Sequence, residues 1–388
     1  MTHTAAVYTD ENDSADAGRH LGAQVRESLG DAPPDALIVF ASSRFDHNAL
    51  LSALDRECHP KLMVGSSSAG EFTGQRRGEG TACVLALRSD ELQLAAGLGR
   101  GVSQDRAKAA RDTVAAFRGT GGREFRHRSA LIMTDALAGH ADQLVEELTV
   151  LTSGKYQFAG GGAGDDANFS QTQVFHGTNA YSDAVVALEL LSKKPLGIGV
   201  GHGWIPAGKA LRVTAAEGMR LVSLNGLPAV EAFEEHAGAT AQEFDRTNPL
   251  PFFLHNILGI DTGNGHRLRV PLAVNEDGSV NCAAEIPSGA RLHIMKATAD
   301  SAIIAAKRAT ESAVQGLRGE KAGAALFFDC VATRLRMGDA FGFELESVSQ
   351  SLGGAGFVGC NTYGQIARAE GQFGGFHNCT AVVMVLPA

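Results

Sequence analysis

Three short, unbroken apolar runs stand in the same setting along the chain. They are Ala36-Leu37-Ile38-Val39-Phe40, Ala130-Leu131-Ile132-Met133 and Ala324-Ala325-Leu326-Phe327-Phe328. A second run follows each at a distance: Cys83-Val84-Leu85-Ala86-Leu87, Ala184-Val185-Val186-Ala187-Leu188 and Ala381-Val382-Val383-Met384-Val385-Leu386. Runs of this length without alternation suit strands buried on both faces, in a sheet covered by helices. Between the members of each pair the period changes to that of a helix. Leu51 and Leu54 share a face within 47–57, Leu144, Leu148 and Leu151 oppose Asp142 and Glu146, and Phe341, Leu345 and Val348 line up within 338–348.

Each helical stretch leads into a turn of small residues. The three turns read Val64-Gly65-Ser66-Ser67-Ser68-Ala69-Gly70-Glu71, Phe158-Ala159-Gly160-Gly161-Gly162-Ala163-Gly164-Asp165 and Val358-Gly359-Cys360-Asn361-Thr362-Tyr363-Gly364-Gln365. The spacing predicts a unit of strand, helix, glycine turn and strand, repeated three times. The fold class is α/β or α+β: repeated layered units of buried sheet covered by helices, with hairpins in the C-terminal half. Gly70, Gly164 and Gly364 are expected at equivalent places, either at positive φ or packed where a Cβ would clash.

Two regions fall outside this pattern. Residues 103–117 read as a helix, followed by the basic cluster Arg123, Arg126 and Arg128, together a solvated face and linker. Residues 197–321 open with Gly197, Gly199, Gly201 and Gly203, then carry hairpin signals at Glu217-Gly218, Asn225-Gly226 and Asn275-Glu276-Asp277-Gly278. Residues 299–315 read as an alanine-rich helix.

Charge narrows the function classes. Lys and Arg number 34 against 43 Asp and Glu, a net charge of -9 that gives no global attraction to nucleic acid or an anionic membrane. No apolar stretch reaches the eighteen or so residues of a membrane span, and the acidic N-terminus lacks the apolar segment of a secretory signal, so a cytoplasmic protein without membrane insertion is expected. The six cysteines form no C-x-x-C pair and read as buried free thiols.

Known catalytic signatures are missed narrowly or widely. Gly70-Glu71 stands where a phosphate-binding loop needs Gly-Lys-Ser or Gly-Lys-Thr, and Gly65-Ser66-Ser67-Ser68-Ala69-Gly70 misses the G-x-S-x-G elbow by one position. His202 is the histidine of most interest. Gly201-His202-Gly203-Trp204 places it between glycines and beside the sole tryptophan, where a planar ligand could approach closely; the alternative is that His202 and Trp204 pin two strands together.

These motifs, read together, resemble the FIST domains. Gly65 to Glu71, Gly160 to Asp166 and Gly201-His202-Gly203-Trp204-Ile205-Pro206 resemble the N-terminal FIST domain. Asn225-Gly226-Leu227-Pro228-Ala229, Cys330 to Arg334, Gly359 to Gln365 and Phe376-His377-Asn378-Cys379-Thr380 resemble its C-terminal partner. The expected organisation is an N-terminal extension with a helix at 1–34, a FIST N-terminal domain of two repeat units at 35–200 and a FIST C-terminal domain at 201–388. One departure is Ser66, where many members carry cysteine.

The resemblance implies a small-ligand-binding sensory protein that signals through a separate partner such as a histidine kinase. It offers amino acids as ligands or, in a stand-alone nitric-oxide-sensing branch, haem. The expected pocket lies near the junction of the halves, with Gly201, His202 and Trp204 on one side and Cys330, Arg334, Cys360, Asn361, Thr362 and Tyr363 on the other. If haem binds, His202 is the expected axial ligand, with His176, His293 and His377 as alternatives. The competing function is an enzyme that uses the glycine-rich loops as a substrate cradle.

Overall fold

The computed structural model describes residues 2–120, 125–369 and 375–388. Arg123 of the basic cluster lies outside the described residues. The first unit comprises β1 (Thr2–Thr9), α1 (Ser14–Leu29), β2 (Ala36–Ser42), α2 (His47–Cys58), β3 (Met63–Ser68), β4 (Glu71–Thr73), β5 (Arg77–Gly78) and β6 (Ala82–Ser89). The second comprises β7 (Leu92–Arg100), α3 (Arg106–Val114), β8 (His127–Thr134), α4 (Ala141–Leu151), β9 (Gln157–Gly162), β10 (Val174–His176), β11 (Asn179–Tyr181) and β12 (Ala184–Ser192). The third opens with β13 (Gly197–Gly201) and is then interrupted by a separate β-rich domain.

That inserted domain holds β14 (Ile205–Pro206), β15 (Leu211–Glu217), β16 (Arg220–Leu224), β17 (Leu227–Pro228), α5 (Ala229–Thr240), α6 (Leu250–Phe253), β18 (Ile257–Asp261), β19 (His266–Arg269), β20 (Pro271–Val274), β21 (Val280–Cys282) and β22 (Arg291–Lys296). The third unit then resumes with α7 (Ala299–Gly316), β23 (Ala322–Cys330), α8 (Val331–Met337), α9 (Phe341–Ser351), β24 (Gly356–Thr362), β25 (Gln365–Arg368), β26 (Gly375–His377) and β27 (Ala381–Pro387).

Each unit builds the same four-strand block, and a hairpin from another unit completes it. The orders are β1-β6-β2-β3-β10-β11, β7-β12-β8-β9-β25-β26 and β13-β27-β23-β24-β4-β5. The first unit thus lends its hairpin to the third, the third to the second, and the second to the first. The central pair of each block is parallel, with Val39 opposite Gly65, Ile132 opposite Gly160 and Phe327 opposite Gly359. A Cβ on these three glycines would lie 1.8, 1.9 and 2.0 Å from the carbonyl oxygens of Val39, Ile132 and Phe327. They are therefore the equivalent points of the repeat.

The second turn is shifted by one residue from its expected register. Counting the same five residues from Gly65, Gly160 and Gly359 reaches Gly70, Asp165 and Gly364, so Gly164 matches Ala69 instead. Gly70 and Gly364 have φ of +127° and +109°. Gly164 meets the other half of the expectation, since a Cβ there would sit 2.9 Å from the Ala69 nitrogen.

The inner faces of the three sheets meet in one core, where Ile38, Phe40, Leu131, Met133, Leu326, Phe328, Val382 and Met384 are buried. The outer faces are covered by α1 and α2, by α3 and α4, and by α7 and α9. Burial on both faces explains the unbroken apolar runs. Residues 1–34 carry, besides the expected helix, the edge strand β1 that pairs along β6. The stretch read as a linker after the first unit contains α3, which covers the second sheet beside β7. The 200/201 boundary falls within β13.

The glycines of β13 and the Gly203 that follows it serve packing. A Cβ on Gly197, Gly199 or Gly203 would fall 1.7, 1.7 or 2.2 Å from the backbone oxygens of Ala313, Ala309 and Ser301 on α7. Helix α7 therefore closes the glycine side of the segment that the sequence suggested for a planar ligand, while Gly201 and His202 still border a cavity. The hairpin turns stand where the sequence placed them, joining β15 to β16, β16 to β17 and β20 to β21. Among the described residues no helix is long and apolar enough to cross a membrane.

Candidate ligand-binding site

The parallel strands of all three units end at one place, and their glycine turns interlock there. The Gly164 N–H donates to the Ser67 carbonyl at 3.0 Å, Ala69 to Asn361 at 2.9 Å, Gly162 to Gly364 at 2.9 Å, Asn361 to Gly70 at 2.8 Å and Tyr363 to Gly162 at 3.0 Å. Small residues let the loops approach this closely. Five backbone donors of the loops are consumed in holding the loops together, which leaves those amides unable to cradle a substrate.

Beside this junction lies an apolar cleft of about 560 Å³. One wall is the start of α4 with Ala136, Leu137 and His140; another is Leu254, Val270, Leu272 and Ala283 of the inserted domain. The floor comes from the third unit through Cys330, Val331, Ala332, Tyr363, Phe376 and Asn378. Asn378 is 1% exposed, and its Oδ1 has no hydrogen-bond partner. A buried amide oxygen in that state is costly unless a ligand or water donates to it.

The mouth is ordered by one carboxylate. Asp165 accepts hydrogen bonds from the Phe169, Ser170 and Gln171 amides at 2.8, 2.6 and 2.8 Å, and from the Tyr363 hydroxyl. Burial alone would raise the Asp165 carboxyl, but these donors outweigh it and hold the group below its ordinary value. The Tyr363 hydroxyl is pushed up by burial and by that same carboxylate. Phe169 stacks on Tyr363 with ring centres 4.4 Å apart and planes 16° apart, an aromatic cover at the rim.

Polar ties join the inserted domain to the second unit. The buried Arg269 guanidinium meets Asp142 Oδ2 at 2.5 Å and donates through Nε to the Glu285 carbonyl at 2.9 Å. The Glu285 carboxylate accepts from Gln143 Nε2 at 3.0 Å and pairs with His140 Nδ1 at 2.6 Å.

Of the nine residues expected around one pocket, six are distributed among three cavities and three are buried away from them. Cys330 and Tyr363 line the cleft. Gly201 and His202 line a polar cavity of about 530 Å³ with His266, Arg267 and His377. Arg334 and Asn361 line a third, of about 610 Å³. Cys360 and Thr362 are fully buried, with Thr362 Oγ1 donating to the Asp329 carbonyl at 3.3 Å and burial pushing the Cys360 thiol up.

Trp204 is 5% exposed in an apolar cluster with Cys330, Cys379, Ile257 and Met295, and the Arg336 guanidinium lies 5.1 Å over its ring. All six cysteines are free and buried. A hydrogen bond from Cys379 lowers the Cys330 thiol against the effect of burial. The sequence reading missed Asn378 as a lining residue, although it stands in a quoted motif. Leu254, Val270 and Leu272 carried no signal, since only the folding of the inserted domain brings them to the cleft.

Fold and cleft together define an α/β protein of three interlocked units, with a β-domain inserted in the third and closing over an apolar cleft. The FIST N domain matches residues 35–227 and the FIST C domain residues 229–368. The chain belongs to the FIST family, whose domains are characteristically non-catalytic sensory modules implicated in small-molecule sensing and signal transduction. Among solved structures, cyanuric acid hydrolase from A. caulinodans aligns over 100% of both chains at 9% identity and a TM-score of 0.33. T. maritima PurL complexed with FGAR aligns over 99% of this chain and 73% of its own at 10% identity and a TM-score of 0.21. Likenesses this weak carry no argument. No curated protein matches the chain.

Proposed function

We propose that the protein senses a small, largely apolar molecule bound in the cleft between the second unit, the inserted domain and the third unit, and that it signals through a separate partner protein such as a histidine kinase. The observation that carries this reading is the 560 Å³ apolar cleft floored by the unsatisfied Asn378 amide oxygen. The volume falls within the usual range for small-molecule sites, and one polar group among apolar walls fixes orientation. The ligand class is an apolar body with one N–H or O–H donor for Asn378 Oδ1. Because the cleft is walled by the second unit and by the inserted domain, which meet through a few polar ties, occupancy shifts these two walls against each other, and that displacement is what a partner reads.

Haem at His202 does not fit this chain. The His202 Nε2 donates to the His266 carbonyl at 3.2 Å and Nδ1 accepts from the Trp204 N–H at 3.3 Å, so neither ring nitrogen is free. Its cavity is lined by Thr262, Asn264, Arg267 and Thr380, where a porphyrin needs apolar faces. Among the alternatives, the His377 Nε2 is unpartnered, and burial with Arg267 and Arg269 pushes its pKa to about 3, but it opens on the same polar cavity.

Native mass spectrometry and an absorption spectrum of gently purified protein test the proposal together. A retained small apolar molecule, lost in a Leu272→Trp variant that fills the cleft and still folds, is the expected result. Retention of the molecule by that variant would place the site elsewhere.

A further inference from the structure

We propose that the cavity bordered by Arg334 and Asn361, across α8 from the cleft, is a second binding site, and that its ligand is a small monocarboxylate. Helix α8 separates the two spaces: Val331 and Ala332 face the cleft, Arg334 faces the second cavity, and Leu335 borders both.

Three features build the site. The Asn361 side chain is 0% exposed, and neither its Nδ2 nor its Oδ1 has a hydrogen-bond partner. Its backbone, by contrast, is fully engaged, with its N–H on the Gly70 carbonyl and its carbonyl accepting from Ala69. The Arg334 Nε is likewise buried and unpartnered, while its Nη1 reaches Glu79 at the surface. Gly70 brings the two together. A Cβ there would lie 2.8 Å from Asn361 Oδ1 and 3.3 Å from Arg334 Nε, so the missing side chain keeps these polar atoms uncovered.

The donor set selects the ligand. With the Asn361 amide turned so that Nδ2 takes the place Oδ1 holds beside Gly70, one carboxylate oxygen accepts from the Arg334 Nε–H and the other from the Asn361 Nδ2–H. Phe72 and Phe341, packed edge to face with centres 5.6 Å apart, and Leu335 offer an apolar wall for a short hydrocarbon body. Glu71, Glu79 and Asp339 border the same cavity against Arg77 and Arg334, an excess of carboxylates that a doubly charged phosphate meets with more repulsion than a singly charged acid.

Calorimetric titration of the full chain with acetate, butyrate and inorganic phosphate tests this. Butyrate is expected to bind saturably, more tightly than acetate, with phosphate weakest. Arg334→Met and Asn361→Ala are each expected to weaken butyrate about tenfold or more, the loss of a charge-assisted or a buried hydrogen bond. Arg334→Met, on a short helix at the cavity edge, is the deciding variant, and its thermal unfolding is measured alongside to confirm the fold. Leu272→Trp, which alters only the cleft, leaves butyrate affinity unchanged. Absence of saturable butyrate binding, phosphate binding more tightly than butyrate, or an unaltered affinity in folded Arg334→Met would overturn the assignment.

Discussion

The three-unit body and the inserted domain are held in opposite ways. In the body, apolar strands are buried on both faces, and each sheet is completed by a hairpin from a neighbouring unit, so no unit separates without breaking two sheets. The inserted domain has its own core around Phe233, Phe253 and Leu258; it packs on the third unit through Ile257, Val270 and Met295 against Cys330 and Cys379, but meets the second unit through a few ion pairs and hydrogen bonds. The body is the fixed frame, and the seam between the second unit and the inserted domain is where motion costs least. The apolar cleft lies along that seam, which is the place a binding event can be converted into displacement.

The comparison breaks most visibly if the frame is weakened at its centre. Phe328 is fully buried where the three sheets meet, and Phe328→Ala is expected to cost about 3–5 kcal/mol, read as a lower denaturation midpoint for the whole chain. A smaller and more local effect is expected at the seam. Arg269→Met leaves Asp142 without its buried partner, at a cost of about 3 kcal/mol. Hydrogen exchange should rise along β18 to β20, with β2, β8 and β23 unchanged; a uniform rise would show that the inserted domain is part of the frame.

A pH effect follows from Glu71, which is fully buried in the frame. Burial pushes its carboxyl up to about 7, with Ser68 and Thr81 donating to it and the Asp166 carboxylate adding to the rise. The folded state therefore holds the proton more tightly than the unfolded chain. The resulting stability is fully present below about pH 4.5 and is lost as pH rises through about 7, a change on the order of 3 kcal/mol. Glu71→Gln should flatten that slope, measured as unfolding free energy between pH 5 and 8; an unchanged slope would assign it to other groups. The smallest effect is expected at the rim, where Phe169→Ala removes the stack on Tyr363 at about 1 kcal/mol. Its clearer readout is faster ligand release from the cleft with the global denaturation midpoint nearly unmoved.

Much of the frame was legible in the sequence because it rests on local patterns. The apolar runs became β2, β8 and β23 with their partners β6, β12 and β27, and the hairpin signals at Gly218, Asn225-Gly226 and Gly278 became turns. The edge strands were less visible. Strand β7 is half-buried along most of its length, and β13 alternates glycine, so neither reads as an apolar run. Gly164 departs from the expected register because the feature the three units share is not a glycine at that place but the close approach of Gly65, Gly160 and Gly359 to the neighbouring strand.

The sequence by itself determined the buried central strands, the helices that cover them and the hairpin turns, since each depends on residues within a few positions. Only the tertiary structure decided which sheet each hairpin joins, because an edge strand offers the same backbone groups to any partner and long-range packing makes the choice. The same physics scattered the expected site. Cys330 and Arg334 are one helical turn apart in sequence, yet they line cavities on opposite sides of α8, one shaped by Val270 and Leu272 and the other by Glu71 and Phe72. A cavity is what distant surfaces leave unfilled between them, and no local pattern records that space.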